Sequence, residues 1–231
     1  MIGIGVIGCG SISIRRHIPE YDSREDCRLV GYYDPIVERA QKMADQYGGK
    51  VFETLEDLLG DKDIDAVSVC TSNKYHAPVT LAALKAGKHV LCEKPMATSA
   101  EAAQAMIDTA RKEGKFLMIG HNQRLAPAHI RAREILQTGE LGRILTFRTT
   151  FGHGGPEYWS QDMGRHTWFF KYDDAFIGAM GDLGVHKADL IRWLIQDEIV
   201  EAKAYVTTLD KTNDKDEPIE VDDNAVCVLK S

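Results

Sequence analysis

The first thirteen residues constrain the fold most. Ile2–Ile7 (IGIGVI) is an apolar run with no charge inside it, and Gly8-Cys9-Gly10-Ser11-Ile12-Ser13 follows before the helical stretch Ile14–Tyr21. A strand apolar on both faces belongs in the middle of a parallel sheet. Strand, glycine turn and helix in that order are the context a dinucleotide fingerprint requires. Gly8 permits the tight turn. Gly10 lets a pyrophosphate approach the backbone and rest on the helix N-terminus, beside Ser11 and Ile12. Ser13 replaces the third glycine, and so small a residue still allows close helix–strand packing. By itself a G-x-G is a plain tight turn; its place at the head of a βαβ pattern gives it weight.

The alternation continues. Arg28–Tyr33 reads as a second strand, Ile36–Tyr47 as a helix, Thr54–Leu59 as a short helix and Asp65–Cys70 as a third strand. The helix Pro78–Ala86, the strand His89–Cys92, the helix Ser99–Glu113 and the strand Lys115–Ile119 follow. Asp34 ends the second strand, where an acidic side chain is expected to bind the adenosine ribose hydroxyls and repel the 2′-phosphate of NADP. Pro35 and Ile36 follow it rather than an arginine, so NAD is the predicted cofactor. Asp34 also suits a cap for the helix Ile36–Tyr47, and both roles can hold together.

His89–Met96 (HVLCEKPM) places charge where a short buried strand ends. Ligands of open α/β sheets bind at that carboxyl edge. Pro95 restricts Lys94 to extended backbone and makes a cis bond affordable. The ammonium of Lys94 therefore hangs from a stiff support.

The run Ala86–Pro95 (AGKHVLCEKP) resembles the Glu-Lys-Pro motif of the glucose–fructose oxidoreductase / inositol dehydrogenase family of NAD(P)-dependent dehydrogenases. The glycine turn, Thr71-Ser72-Asn73 with His76, Gly120-His121-Asn122 and Asp182…His186 occur in that family's order. The resemblance implies that Thr71, Asn73 and Asn122 contact the cofactor, with His76 close by. For His76 alone, a helix-start histidine satisfied by backbone is the plainer reading. The resemblance also implies a homo-oligomer formed through the sheet of the second domain, and hydride transfer at a sugar or cyclic polyol.

The fold class predicted is α/β: a Rossmann dinucleotide-binding domain over residues 1–120, then an α+β domain over 121–231 with a mostly antiparallel sheet. That sheet is expected to be incomplete, because relatives continue for several strands past Ser231. In the second half, Pro127–Gln137 reads as a helix and Arg143–Phe151 (RILTFRTTF) as a long strand. Gly152–Gly181 is a loop rich in histidine and aromatics. A helix runs from Gly181 through Leu194, and Val200–Leu209 and Ala225–Leu229 are strands around an acidic, solvated loop, Asp210–Asp223. One face of the sheet is expected to pack on the two helices.

Asp182 and His186 are four apart and share a helix face. Oxidising a secondary alcohol needs a base for the hydroxyl proton and a cation for the developing alkoxide. Histidine suits the first and Lys94 the second. Asp182 can orient the substrate, and Glu93 can fix the nicotinamide side. Trp159 and Trp168 read as either lid core or a stacking surface for a sugar ring; a place in the substrate pocket is favoured, with Trp168 beside Lys94, Asp182 and His186. A zinc site from His153, His166, His186 and Asp182 is disfavoured, since no HxxxH or HxH pair is present.

Net charge is −7 and the sequence has no Lys/Arg block, which argues against a nucleic-acid or anionic membrane surface. The five cysteines lack metal-like spacing and read as free thiols of a reducing compartment. Met1 leads straight into a strand, so a cytoplasmic location is expected. Two other functions share this fold: a non-enzymatic NAD-binding sensor and an NAD-assisted glycosidase.

Overall fold

The computed structural model describes all residues, Met1–Ser231, and the chain divides into two compact units. The first comprises Met1–Gly120 with Trp159–Met163, and the second His121–Tyr158 with Gly164–Ser231. No helix is long and apolar enough to cross a membrane.

The first unit is built on a six-stranded sheet: β1 (Ile2–Ile7), β2 (Cys27–Tyr33), β3 (Lys50–Val51), β4 (Ala66–Val69), β5 (His89–Cys92) and β6 (Leu117–Ile119). All pairings are parallel, in the order β3-β2-β1-β4-β5-β6. This is the Rossmann order, and its switch point lies between β1 and β4. Helices cover both faces. Ile4, Val6 and Tyr32 pack with Ile18 of α1 (Ile18–Asp22) and with Ala40 and Met43 of α2 (Val37–Tyr47). Ile7, Val67, Val69 and Val90 pack on the other face with Leu58 and Leu59 of α3 (Leu55–Gly60), Leu84 of α4 (Asn73–Lys85) and Met106 of α5 (Ala100–Glu113). Each Val, Leu, Ile or Met side chain among them, fully buried, contributes about 1.5–3 kcal/mol.

Local signals explain the helix ends. Thr54 accepts the amide of Asp57 and Ser99 that of Ala102, and Gly114 closes α5 in the left-handed region. Two starts differ from expectation. A π-turn, Ser13–His17, precedes α1. Helix α4 begins at Asn73, one turn before the expected Pro78. Pro78 sits inside the helix on an exposed side, where water can take the Lys74 carbonyl that the missing N–H leaves.

In the second unit, α6 (Pro127–Gln137) packs on α8 (Val185–Ile195), with Arg133 over the Trp193 ring at 4.4 Å. The short α7 (Tyr172–Ala175) helps enclose a small core of Phe170, Ala175, Ile219 and Val221. Strands β7 (Glu201–Thr207) and β8 (Asn224–Lys230) form an antiparallel pair.

Three expectations are corrected here. Arg143–Phe151 is not a strand: it joins no ladder and is exposed almost throughout. β-Branched and aromatic content favours a strand only where a partner takes the backbone and a neighbour covers one face, and here β7 and β8 pair only with each other. The helices do not cover the sheet as expected. Strand β7 is exposed up to Thr207, and Cys227 of β8 reaches only Met180, 3.7 Å away. Finally, Asp210–Asp223 is not simply solvated. Ile219 and Val221 are buried, and Asp222 accepts the amides of Gly178 and Met180. Asp223 accepts those of Leu209, Asp210 and Lys211; burial would raise its carboxyl, yet these bonds hold it below the ordinary range.

Candidate functional site

In the first unit the expected residues gather at the carboxyl ends of β1, β2, β4 and β5. Gly8 follows β1 with φ +92°, and a Cβ there would lie 2.7 Å from the Cys70 carbonyl. The turn therefore needs glycine. A Cβ at Gly10 would find only the Cys70 oxygen, at 4.0 Å, so the space above that backbone is open. An open, side-chain-free turn leading into the helical turn of Ser11 and Ile12 fits a dinucleotide pyrophosphate.

Asp34 is buried, and both its oxygens are engaged. Oδ2 accepts the Cys9 amide at 2.7 Å, and Oδ1 accepts the Ile36 amide at 2.9 Å. It braces the glycine turn and the approach to α2, rather than capping α2 itself, whose first-flanking residue is Ile36. Each carboxylate oxygen keeps a second acceptor direction for a ribose diol. Burial, followed by the Asp34 charge, pushes the Cys9 thiol up to about 12. Cys9, Cys70 and Cys92 are buried free thiols.

At the end of β4, Thr71 leads into α4 with Asn73 and His76 buried in its first turn. His76 Nδ1 lies 2.6 Å from the Pro95 carbonyl and Nε2 3.1 Å from that of Thr71. The helix start is thus tied to the segment after β5, where the Lys94–Pro95 peptide is cis. Glu93 is buried and accepts the Lys94 amide at 3.1 Å. Burial alone would raise the Glu93 carboxyl; a hydrogen bond from His17 and the nearby charges outweigh it and hold it low.

Sequence reasoning missed two features of this unit. His17 was not singled out, because its partners are distant in the chain. Trp159–Met163, read as part of a loop, lies against the glycine turn. The Trp159 carbonyl accepts from Ser11 Oγ at 3.2 Å and from Arg15 at 3.1 Å, and Asp162 pairs with Arg39.

In the second unit, Asp182 lies in a π-turn (Met180–Gly184) leading into α8, and His186 lies in the first turn of α8. Asp182 faces His153 at 3.5 Å, a pairing of two of the residues weighed for the zinc site. His186 sits among Phe151 and His121, with ring centroids 5.9 and 6.5 Å away. Asp189 is buried under a bidentate grip from Arg124, a structural pairing. Asn122, exposed in a 3₁₀ turn, belongs to this unit. A pocket is lined by His153, Phe169, Phe170, Asp182, Lys211 and Ile219 among others. Trp168 is not in that lining and stacks on Phe169 at 3.8 Å. His166 lies beside Asp214 instead.

Residues 2–121 match the oxidoreductase family with NAD-binding Rossmann fold, GFO/IDH/MocA, and residues 129–231 match the GFO/IDH/MocA C-terminal domain. The chain belongs to the GFO/IDH/MocA oxidoreductase family. It is 38% identical over 177 residues to a 1,5-anhydro-D-fructose reductase of Ensifer adhaerens, covering 76% of this chain and 51% of that one. It is 32% identical over 228 residues to a glucose-6-phosphate 3-dehydrogenase of Bacillus subtilis (strain 168), covering 96% and 62%. Among solved structures, the WlbA dehydrogenase from Bordetella pertussis, in complex with NADH and UDP-GlcNAcA, aligns with a TM-score of 0.83 at 28% identity, over 99% of this chain and 63% of that one. This GFO/IDH/MocA chain thus spans about half to two thirds of the length of such relatives.

Proposed function

We propose that this chain is an NAD-dependent dehydrogenase that oxidises a secondary alcohol of a sugar, a cyclic polyol or a sugar derivative. The observation that carries this reading is Lys94, at the carboxyl end of β5. Its amide is held by a buried carboxylate, and the next carbonyl is held by a buried histidine. Such a support delivers a cation to one place, as stabilising a developing alkoxide requires.

Gly8, Gly10, Ser11 and Ile12 would hold the pyrophosphate, Asp34 the adenosine ribose, and Thr71, Asn73, His76, Glu93 and Asn122 the remainder of the cofactor. Bound nicotinamide supplies the hydride acceptor. Lys94 stabilises the substrate oxygen as charge builds on it, and His186 takes the hydroxyl proton at a ring nitrogen. Asp182, which opens on the cavity of the second unit, orients substrate hydroxyls. The relatives' names support sugar derivatives as the substrate class, and Asp34 supports NAD over NADP.

The test is a panel of aldoses, anhydro-sugars, inositols and sugar nucleotides, with absorbance of NADH as the readout. Steady NAD reduction with at least one of them is expected. NAD binding without reduction would replace the reading with a sensor, and glycoside cleavage without net reduction with a glycosidase.

A further inference from the structure

Two carboxylate oxygens of Glu93 serve two different partners. Oε2 takes the Lys94 amide at 3.1 Å, and Oε1 meets Nε2 of His17 at 2.9 Å. On the far side of the imidazole, Nδ1 lies 2.8 Å from Ser68 Oγ, which lies 2.8 Å from the Tyr21 hydroxyl. His17 and Glu93 are each under a tenth exposed, and Ser68 is fully buried. An ionised carboxylate only accepts, so Nε2 carries a proton. With a neutral ring, Nδ1 accepts from Ser68, and Ser68 accepts from Tyr21. The direction of the whole chain is set from its carboxylate end.

The fold is shaped around this chain. His17 closes the π-turn before α1, and Tyr21 follows four residues later, so the two bracket Ser68 of β4 from one helix face. At Gly120 a Cβ would lie 2.9 Å from Glu93 Oε1, so the neighbouring strand end leaves room for the carboxylate and nothing more. Facing the same carboxylate are His76 from α4, the thiols of Cys70 and Cys92, and Lys94 beside it. The Cys92 thiol donates to the Glu93 backbone carbonyl at 3.3 Å, whereas His17 meets the Glu93 carboxylate itself.

We infer that His17 is a positioning residue for Lys94: through Glu93 it fixes the peptide from which the Lys94 ammonium extends, and Ser68 and Tyr21 fix its ring. The consequence for turnover rests on the dehydrogenase reading; the geometric role does not. A histidine that only filled space would be exchangeable for an apolar side chain with no effect on Glu93 or Lys94.

The experiment uses the full chain, with ¹³C-carboxyl titration of Glu93 and hydrogen exchange of the Lys94 amide by NMR. In His17→Leu the Glu93 titration should move upward, and the Lys94 amide should exchange at least about 10-fold faster. His17→Gln, which keeps a donor, should restore most of both. Ser68→Ala should move both in the same direction by less, and decides the matter if the Leu variant does not fold. With an active substrate, His17→Leu should lower kcat about 10-fold or more. Unchanged titration and exchange in a variant with an intact melt would overturn the inference. So would a loss confined to NAD affinity. A wild-type chain that reduces no NAD would count against the dehydrogenase reading alone, since the NMR arms still decide His17.

Discussion

Arg39, in the first turn of α2, is ion-paired with Asp162, a residue 123 positions later in the chain. Both Arg39 and Asp34 act on the buried Cys9 thiol, one lowering and the other raising its pKa. A cation does lie in the first turn of α2, just past Pro35 and Ile36, but a second carboxylate occupies it. Asp162 is a second carboxylate at this helix start, where the sequence offered Asp34 alone.

Cofactor choice should follow from that arrangement. Wild type is expected to bind NAD more tightly than NADP in calorimetry. Asp162→Asn should release Arg39 and improve NADP affinity about 10-fold, the effect of roughly 1.4 kcal/mol. Adding Asp34→Ser should improve it further while weakening NAD. Equal wild-type affinities, or no gain in either variant, would show that these carboxylates do not set the preference.

Lys94 and His186 should separate in their kinetic signatures. Lys94→Met is expected to retain NAD binding while turnover falls by about 10²-fold or more, the scale of removing one electrostatic stabiliser. His186→Gln should change the pH profile of kcat/KM as well as its height. Full turnover in Lys94→Met would remove that residue from the chemistry.

The parallel half of the fold was legible because β1, β4 and β5 are short apolar runs ending in polar residues, a pattern set within each segment. Asp34, Glu93 and Lys94 were legible for the same reason: each marks a strand end. His17 was not, since Ser68 and Glu93 lie 51 and 76 residues away and the sequence around His17 reads as an ordinary helix. Asp162 failed likewise. The strand expected at Arg143–Phe151 came from its composition, and composition cannot supply a pairing partner.

His76 should give stability a pH dependence of known sign. Burial dominates its surroundings and pushes its pKa below 6.5. Below pH 6.5 the unfolded chain takes a proton there before the folded one does, so protons favour unfolding. Its contribution is full above 6.5 and is lost as the pH falls toward the folded pKa. The wild-type melting temperature is expected to decline between pH 7 and 5. His76→Gln, lacking a ring to titrate, should decline less steeply. At pH 7.5 it should start lower by about 1–3 kcal/mol, because one of the Pro95 and Thr71 carbonyls loses the ring N–H that serves it. Parallel slopes for the two proteins would show that His76 does not titrate in this window.

The pair β7–β8 should be where copies of this chain meet. Residues opposite one another share a face, and the register sets Tyr205 against Val226 and Lys203 against Val228. On that face Tyr205, Val226 and Val228 are 72, 63 and 70% exposed. The other face carries Cys227, which leans on Met180, and the half-buried Ala225 and Leu229. Three exposed apolar side chains clustered on one sheet face, with open strand edges, favour association. Light scattering coupled to size exclusion is expected to show a homo-oligomer for the wild type. Val228→Asp places a charge at the centre of the exposed face, opposite to the face that carries Cys227 and Met180, so it should yield a smaller species with an unchanged NAD affinity. A wild-type monomer with a cooperative melt would rule out association through this sheet, and an oligomer that survives Val228→Asp would place the contact elsewhere on the chain.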